Sequence, residues 1–83
     1  SKRTAIEEEL KQLASLYPNP ASDFVIVDGI DGEFNYEILD IAGKIQAAGT
    51  ASRRISVAAL PKGIYLVRVK DGILTRNLRF IKD

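Results

Sequence analysis

The sequence predicts a small all-β antiparallel sandwich with a short N-terminal amphipathic helix. Three observations predict it: apolar residues have helical spacing only up to Tyr17, six short apolar segments follow, and Gly and Pro residues punctuate the chain between them. The 83 residues, 46% apolar and 28% charged, have the composition of one globular domain. A domain of this size has a thin core and little room for a deep catalytic cleft.

The helix is predicted over residues 5–15. Thr4 and Glu7 fit a capping box, and the acidic residues 7–9 suit the positive end of a helix. One helical stripe holds the apolar residues Ile6, Leu10, Leu13 and Tyr17. A helix of this length is marginal alone and must pack on something, whereas a coiled coil needs about three heptads. Residues 1–15 are therefore interpreted as a helix or linker, either native or added for expression, and residues 16–83 as the sandwich.

The strands begin after Pro18 and Pro20, which end any helix. They are predicted at residues 24–27, 34–39, 44–48, 54–57, 64–69 and 73–81, with bends at Gly32, Gly43, Gly49 and Gly63. The side chains expected to form most of the core are Val25, Val27, Phe34, Tyr36, Ile38, Tyr65, Val67, Val69, Leu78 and Phe80.

The dipeptide Asp71-Gly72 predicts a two-residue hairpin turn of type I′ between the last two strands. This turn would place Val69 opposite Leu74 and Tyr65 opposite Leu78. Arg76 then shares the inward face, which a β-bulge or a side chain that extends to solvent would accommodate.

The residue types present argue against an enzyme. Cys, His, Trp and Met are absent, so no thiolate, zinc-finger set or Ser–His relay is available, and Ser and Thr have no general base. Three carboxylates in the loop 28–33 suggest a calcium ligand set or an acid–base pair, but an ordinary solvated Asp-Gly turn is favoured. We therefore predict no catalytic residue, metal site or cofactor.

Charge is distributed unevenly along the chain. Residues 1–52 have four Lys and Arg against nine Asp and Glu, a net charge of −5, whereas residues 53–83 have eight against two, a net charge of +6. A basic half suits an acidic partner such as nucleic acid or lipopolysaccharide. Without an aromatic–basic motif, neutralisation of one half by the other is favoured, and no nucleic-acid partner is predicted. No apolar run reaches the length of a membrane span, so no stable membrane insertion is expected.

Four motifs occur in a specific order. The first is Leu16-Tyr17-Pro18-Asn19-Pro20, and the second is the segment 38–45 with Asp40, Gly43 and Lys44. The third runs from Leu60-Pro61 through Gly63 and Tyr65 to Val69, and the fourth is the final segment 75–82. Residues 16–83 thereby resemble the C-terminal sorting domain of the type IX secretion system of Bacteroidota, an immunoglobulin-like sandwich. Arg79 departs from the Lys common there, and Asp83 from the usual terminal basic or polar residue.

The resemblance implies a secretion signal that directs a passenger protein across the outer membrane. The implied partners are the outer-membrane translocon and shuttle proteins, a sortase-like surface peptidase that removes the domain, and an upstream passenger domain. The implied route is through the periplasm to the cell surface or the extracellular space. The residues expected to contact the translocon are Arg76, Leu78, Arg79, Phe80, Ile81, Lys82 and Asp83.

Two alternatives remain open. One is a β-sandwich accessory module of a surface enzyme that binds a glycan or a protein, which the basic C-terminal half suggests. The other is weak self-association through an unpaired edge strand or through the stripe at Ile6, Leu10 and Leu13.

Overall fold

A computed structural model describes residues 15–83, which form two antiparallel sheets. The strands are β1 (Ser15–Tyr17), β2 (Phe24–Asp28), β3 (Phe34–Asp40), β4 (Ile45–Ala51), β5 (Arg54–Ser56), β6 (Gly63–Asp71) and β7 (Leu74–Lys82). One sheet has the order β1-β2-β5 and the other has the order β4-β3-β6-β7. The predicted all-β fold of two antiparallel sheets is confirmed. None of the described residues belongs to a helix that could cross a membrane.

The core lies between the sheets because alternate residues of each strand point inward. Tyr65, Val67 and Val69 of β6 are buried there, as are Phe34 and Ile38 of β3. The smaller sheet contributes Val25, Val27 and Ile55. Full burial of a Val, Ile or Phe side chain stabilises a fold by about 1.5–3 kcal/mol, so this cluster accounts for much of the stability.

Most of the predicted core is confirmed, with two corrections. Tyr36 and Leu78 are only partly buried and pack against the cluster from its margin. Ala21, Ile55 and Val57 are fully or almost fully buried and were not predicted. Ile55 and Val57 alternate with polar residues in the predicted strand 54–57, which already indicated an inward face, whereas Ala21 lies in no strand.

The predicted helix over residues 5–15 lies outside the described residues, except at its end. Ser15 and Tyr17 belong to strand β1, in which Leu16 pairs with Val27 of β2. The placement of Tyr17 on a helical stripe is therefore wrong. A three-residue strand is fixed by its partner across the sheet and not by its own pattern of residues.

In the hairpin between β6 and β7, the predicted side chains face inward, but the two strands pair in a different register from the predicted one. Asp71 pairs with Leu74 and Val69 with Arg76, two residues beyond the predicted partner of Val69. Gly72, with φ of 62°, is the first of the two turn residues. None of the described residues other than glycine has positive φ, which fits a type II′ turn and excludes type I′.

Arg76 faces inward without a bulge, because the β6–β7 pairing is continuous from Gly63 and Lys82 to Asp71 and Leu74. The prediction of a β-bulge is therefore wrong. The side chain is partly buried, which agrees with the alternative in which its long stem packs on apolar surface.

Candidate functional site

Part of each predicted motif lies at one end of the four-stranded sheet, although the third and fourth motifs also run along β6 and β7 to the other end. Asp40, the last residue of β3, pairs with Tyr65 near the start of β6, and Tyr65 pairs with Phe80 near the end of β7. The segment after β1 reaches the same place, where Ala21 forms a parallel bridge with Lys82. We call this region the motif end. The opposite end contains the β6–β7 turn and the loop 28–33.

Asp40 organises the turn between β3 and β4. Its Oδ1 accepts hydrogen bonds from the backbone N–H groups of Ala42 and Lys44, each at 2.9 Å, and its Oδ2 accepts one from Gln46 Nε2 at 2.8 Å. The backbone bond from Lys44 is the main cause that lowers the pKa of Asp40 below its usual 3.8, with smaller contributions from Gln46, Ala42 and the charge of Lys44. Gly43 completes the turn with φ of 84°, a conformation that favours glycine.

Tyr65 joins the third motif to the terminal strand. Its hydroxyl donates a 2.7 Å hydrogen bond to the carbonyl oxygen of Pro61. Its ring stacks on Phe80 with centroids 5.5 Å apart. The ring is buried, so the Pro61 carbonyl supplies the partner that a buried tyrosine hydroxyl needs. The other members of the motif have structural positions: Leu60 packs against the core, Gly63 begins β6, and Val69 is buried.

The first motif forms a clasp on the end of β7. Asn19 Oδ1 accepts a hydrogen bond from the N–H of Ile81 at 2.9 Å. Ala21 donates to the carbonyl oxygen of Ile81, and Asp83 donates to that of Ala21, both at 2.8 Å. Pro18 and Pro20 flank Asn19 and fix the backbone between β1 and this clasp. Residues 19–21 thus hold the last three residues of the chain, and we call these contacts the clasp.

The residues predicted to contact the translocon are divided between the two faces of β7. Leu78 and Phe80 face the core, and Phe80 is fully buried. Lys82 shares that face and is 9% exposed, with its Nζ donating to the main-chain oxygen of Asp83 at 3.2 Å. Arg79 and Ile81 point to the outside. Arg79, Ile81 and Asp83 are exposed in the folded domain, Arg76 and Leu78 are partly exposed, and Phe80 is not exposed.

A group of apolar side chains at the motif end lies on the outer face of the four-stranded sheet, away from the core. Leu39 of β3 pairs with Ile45 of β4 and with Leu66 of β6, and Ile64 pairs with Ile81. Cross-strand partners point to the same side of a sheet. Ile41, in the β3–β4 turn, is 84% exposed. We define the apolar outer face as Leu39, Ile41, Ile45, Ile64, Leu66 and Ile81.

Sequence reasoning missed this surface. The inward faces of β3 and β6 were predicted correctly, but the apolar residues at the outward positions of the same strands were left without an explanation. The available indication was the uninterrupted apolar run in Ile38-Leu39 and in Ile64-Tyr65-Leu66-Val67, which exceeds what a one-sided strand requires.

Folding brings the acidic and basic parts of the chain together, as favoured from the sequence. Arg53 pairs with Asp28 at 3.2 Å, while Arg68 and Lys70 both reach Glu37, at 3.4 and 3.5 Å. Arg53 also donates to the Tyr17 hydroxyl at 3.0 Å, which ties the first motif to the sheet. Within residues 15–83, Arg79 has no ion pair and no side-chain hydrogen bond. No three acidic side chains of the described part lie close enough to share a metal ion.

Comparison with known proteins gives one match. The sequence model of a family described as a secretion system C-terminal sorting domain matches residues 15–83. No curated protein and no solved structure matches the chain.

Proposed function

Since residues 15–83 show that the chain belongs to the secretion-system C-terminal sorting domains and is a sorting signal for type IX secretion, we propose that the folded motif end is the part that the machinery recognises. The type IX system recognises such a domain and exports the protein to the cell surface or the extracellular space. The family consists of sorting signals and not of catalysts.

The finer steps belong to this proposal. The domain crosses the periplasm with its passenger, meets the outer-membrane translocon and shuttle proteins, and is removed by a sortase-like surface peptidase. Residues 16–83, with Ser15 completing β1, form the sorting unit, and the residues before them lead to it from the passenger.

One observation carries the proposal: part of each family motif, far apart in sequence, lies at the same end of the four-stranded sheet, although the third and fourth motifs also run along β6 and β7 to the other end. Asp40, Tyr65 and Phe80 are successive cross-strand neighbours there, and Asn19 hydrogen-bonds Ile81. Their convergence supports a single recognition surface that includes the outward residues of β7.

The strand orders support an immunoglobulin-like sandwich. Two antiparallel sheets of three and four strands, in the orders β1-β2-β5 and β4-β3-β6-β7, match that architecture. The hydroxyl of Tyr65, near the start of β6, donates a hydrogen bond to the backbone carbonyl of Pro61, four residues upstream. This contact is similar to the tyrosine corner of such folds.

Export of a reporter tests the proposal. The full chain is fused to a periplasmic reporter in a bacterium with a type IX system, and the reporter outside the cell is measured. We expect the double variant Arg79→Ser, Ile81→Ser to lower export, because both side chains point outward beside the clasp. The matched double variant Thr75→Ala, Asn77→Ala changes outward residues at the other end of β7 and should be exported normally.

Equal export of both double variants would contradict a role for the outward face of β7. Removing residues 78–83 is a poorer test, because it also deletes Phe80 from the core and breaks the clasp. Thermal unfolding of each purified variant shows whether the sandwich is intact.

A further inference from the structure

We propose that the apolar outer face is a docking surface for an apolar segment of the secretion machinery that carries an acidic side chain. This inference rests on the proposed function. It extends the recognition surface from the outward residues of β7 across β6 and β3 to the β3–β4 turn, and it adds the chemistry of the partner.

The fold itself does not require these side chains. The solvent face of an antiparallel sheet is ordinarily polar. The half of this outer face near the β6–β7 turn follows that rule, with the polar residues Asn35, Thr50, Lys70, Thr75 and Asn77. At the motif end, by contrast, Ile41, Ile45, Ile64 and Ile81 are 84%, 50%, 48% and 46% exposed. Contiguous exposed apolar side chains of this kind mark interaction surfaces.

The surface has the shape and charge to hold one kind of segment. An open depression of about 490 Å³ is lined by the apolar side chains Leu39, Ile41, Ile64 and Leu66 and by Arg68 and Arg79. Asp40 also lines it, but its carboxylate is already hydrogen-bonded to Ala42, Lys44 and Gln46. Arg68 is already paired with Glu37, at 3.4 Å. Arg79 forms no ion pair with any Asp or Glu of residues 15–83, so its guanidinium is available to a carboxylate of a partner.

The charge also argues against a second copy of this chain as the occupant. Two such faces packed together would bring their arginines into one desolvated contact, where like charges are costly. A segment with apolar side chains and one Asp or Glu satisfies both parts of the surface.

The apolar part is tested by export of the full chain fused to a periplasmic reporter. Ile41→Asn and Ile64→Thr should each lower the exported fraction by about fivefold or more, because central apolar anchors dominate docking energies. Ile41 lies in an exposed turn, so Ile41→Asn leaves the core untouched. The matched control is Ile73→Asn at the β6–β7 turn, which is fully exposed at the opposite end and should be exported normally.

The proposed contact between Arg79 and an acidic side chain of the partner is tested by changing the charge at position 79. Arg79→Glu should lower export more than Arg79→Lys does, since only the former repels a carboxylate. As a control, Thr75→Glu places a carboxylate on the same face of β7 at its polar half, opposite Lys70, and is expected to be exported normally.

Several results would overturn the inference. Normal export of Ile41→Asn, or equal losses in Ile41→Asn and Ile73→Asn, would exclude this surface. A dimer of the unmodified chain in sedimentation that Ile41→Asn abolishes would assign the face to a second copy. If removal of residues 1–14 abolishes the effect of Ile41→Asn, that segment is the occupant. No export of the unmodified chain would instead refute the proposed function.

Discussion

Asp40 shows how one side chain converts a short sequence motif into a fixed turn. Three donors converge on its carboxylate, from Ala42, Lys44 and Gln46, and they favour its ionised form. The depressed pKa of Asp40 means that the ionised carboxylate is more stable in the folded chain than in the unfolded chain. Its stabilising effect is therefore present above the unfolded pKa and is lost as the pH falls through the folded pKa.

The first prediction concerns this carboxylate. Asp40→Asn should lower the melting temperature at pH 7, and the difference from the unmodified chain should narrow as the pH falls below 3.8 through the lower folded pKa. Thermal unfolding across that pH range measures it. Asp31→Asn, in the exposed loop 28–33, is the matched control and should change little. A difference for Asp40→Asn that stays constant with pH would show that the charge of Asp40 is unimportant.

The same residue shows what sequence can and cannot predict. The spacing of Asp40 and Gly43 predicted a turn, because a glycine with positive φ and a nearby carboxylate are local features. The bond from Gln46 could not be predicted in this way. It depends on an irregularity in the β3–β4 pairing, where Leu39 pairs with Ile45 while Ile38 pairs with Ala47.

At the scale of elements, the clasp fixes the free side of β7. β7 is the edge strand of the four-stranded sheet, so one of its sides pairs with β6 and the other side has no neighbouring strand in that sheet. The N–H and carbonyl of Ile81 point away from β6 and are taken by Asn19 and Ala21. The clasp therefore satisfies backbone groups that an edge strand would otherwise leave unpaired.

The second prediction tests the clasp. Asn19→Ala removes the acceptor for the Ile81 N–H, so amide hydrogen exchange at Ile81 should become faster, with a loss of about 1 kcal/mol in the free energy of unfolding. Exchange measured by NMR gives the first quantity and urea unfolding the second. Asn77→Ala, on the outward face of the same strand, serves as the control. Unchanged protection at Ile81 would mean that its exchange is governed by other contacts.

Sequence predicted most strands closely but missed β1 and ended β4 too early. The predicted bend at Gly49 is wrong, because Gly49 lies within β4 and pairs with Tyr36. Strands β3, β6 and β7 have seven to nine residues, long enough for an alternating pattern to show which side faces inward. Strand β1 has three residues; Ser15 was assigned to the end of the predicted helix, and Tyr17 was placed on its apolar stripe. The alternating pattern could not predict the register of the β6–β7 hairpin either, because a shift of two residues leaves the same side chains facing inward.

At the scale of the whole molecule, the core and the recognition surface share the same strands. Phe80 is buried against Tyr65, while its neighbours Arg79 and Ile81 face outward. The motif end keeps its shape only while the core holds β3, β6 and β7 together. A sorting signal built in this way should be recognised as a folded domain and not as a linear peptide.

The third prediction follows from that dependence. Ile38 is fully buried, so Ile38→Ala should cost about 2–5 kcal/mol, whereas Ile38→Val should cost about 0.5–1.5 kcal/mol. A domain of this size has a total stability of only about 4–12 kcal/mol, so Ile38→Ala should populate the unfolded chain on warming. Urea unfolding of the purified variants measures the cost, and reporter export at low and high growth temperature measures the consequence.

Neither variant alters an outward side chain, so export should follow the folded fraction. Ile38→Val should be exported normally at both temperatures, and Ile38→Ala should lose export at the higher temperature and regain it at the lower. Undiminished export of Ile38→Ala under conditions in which the domain is mostly unfolded would show that the machinery reads a linear segment. The convergence of the motifs in the folded domain would then have no role in recognition.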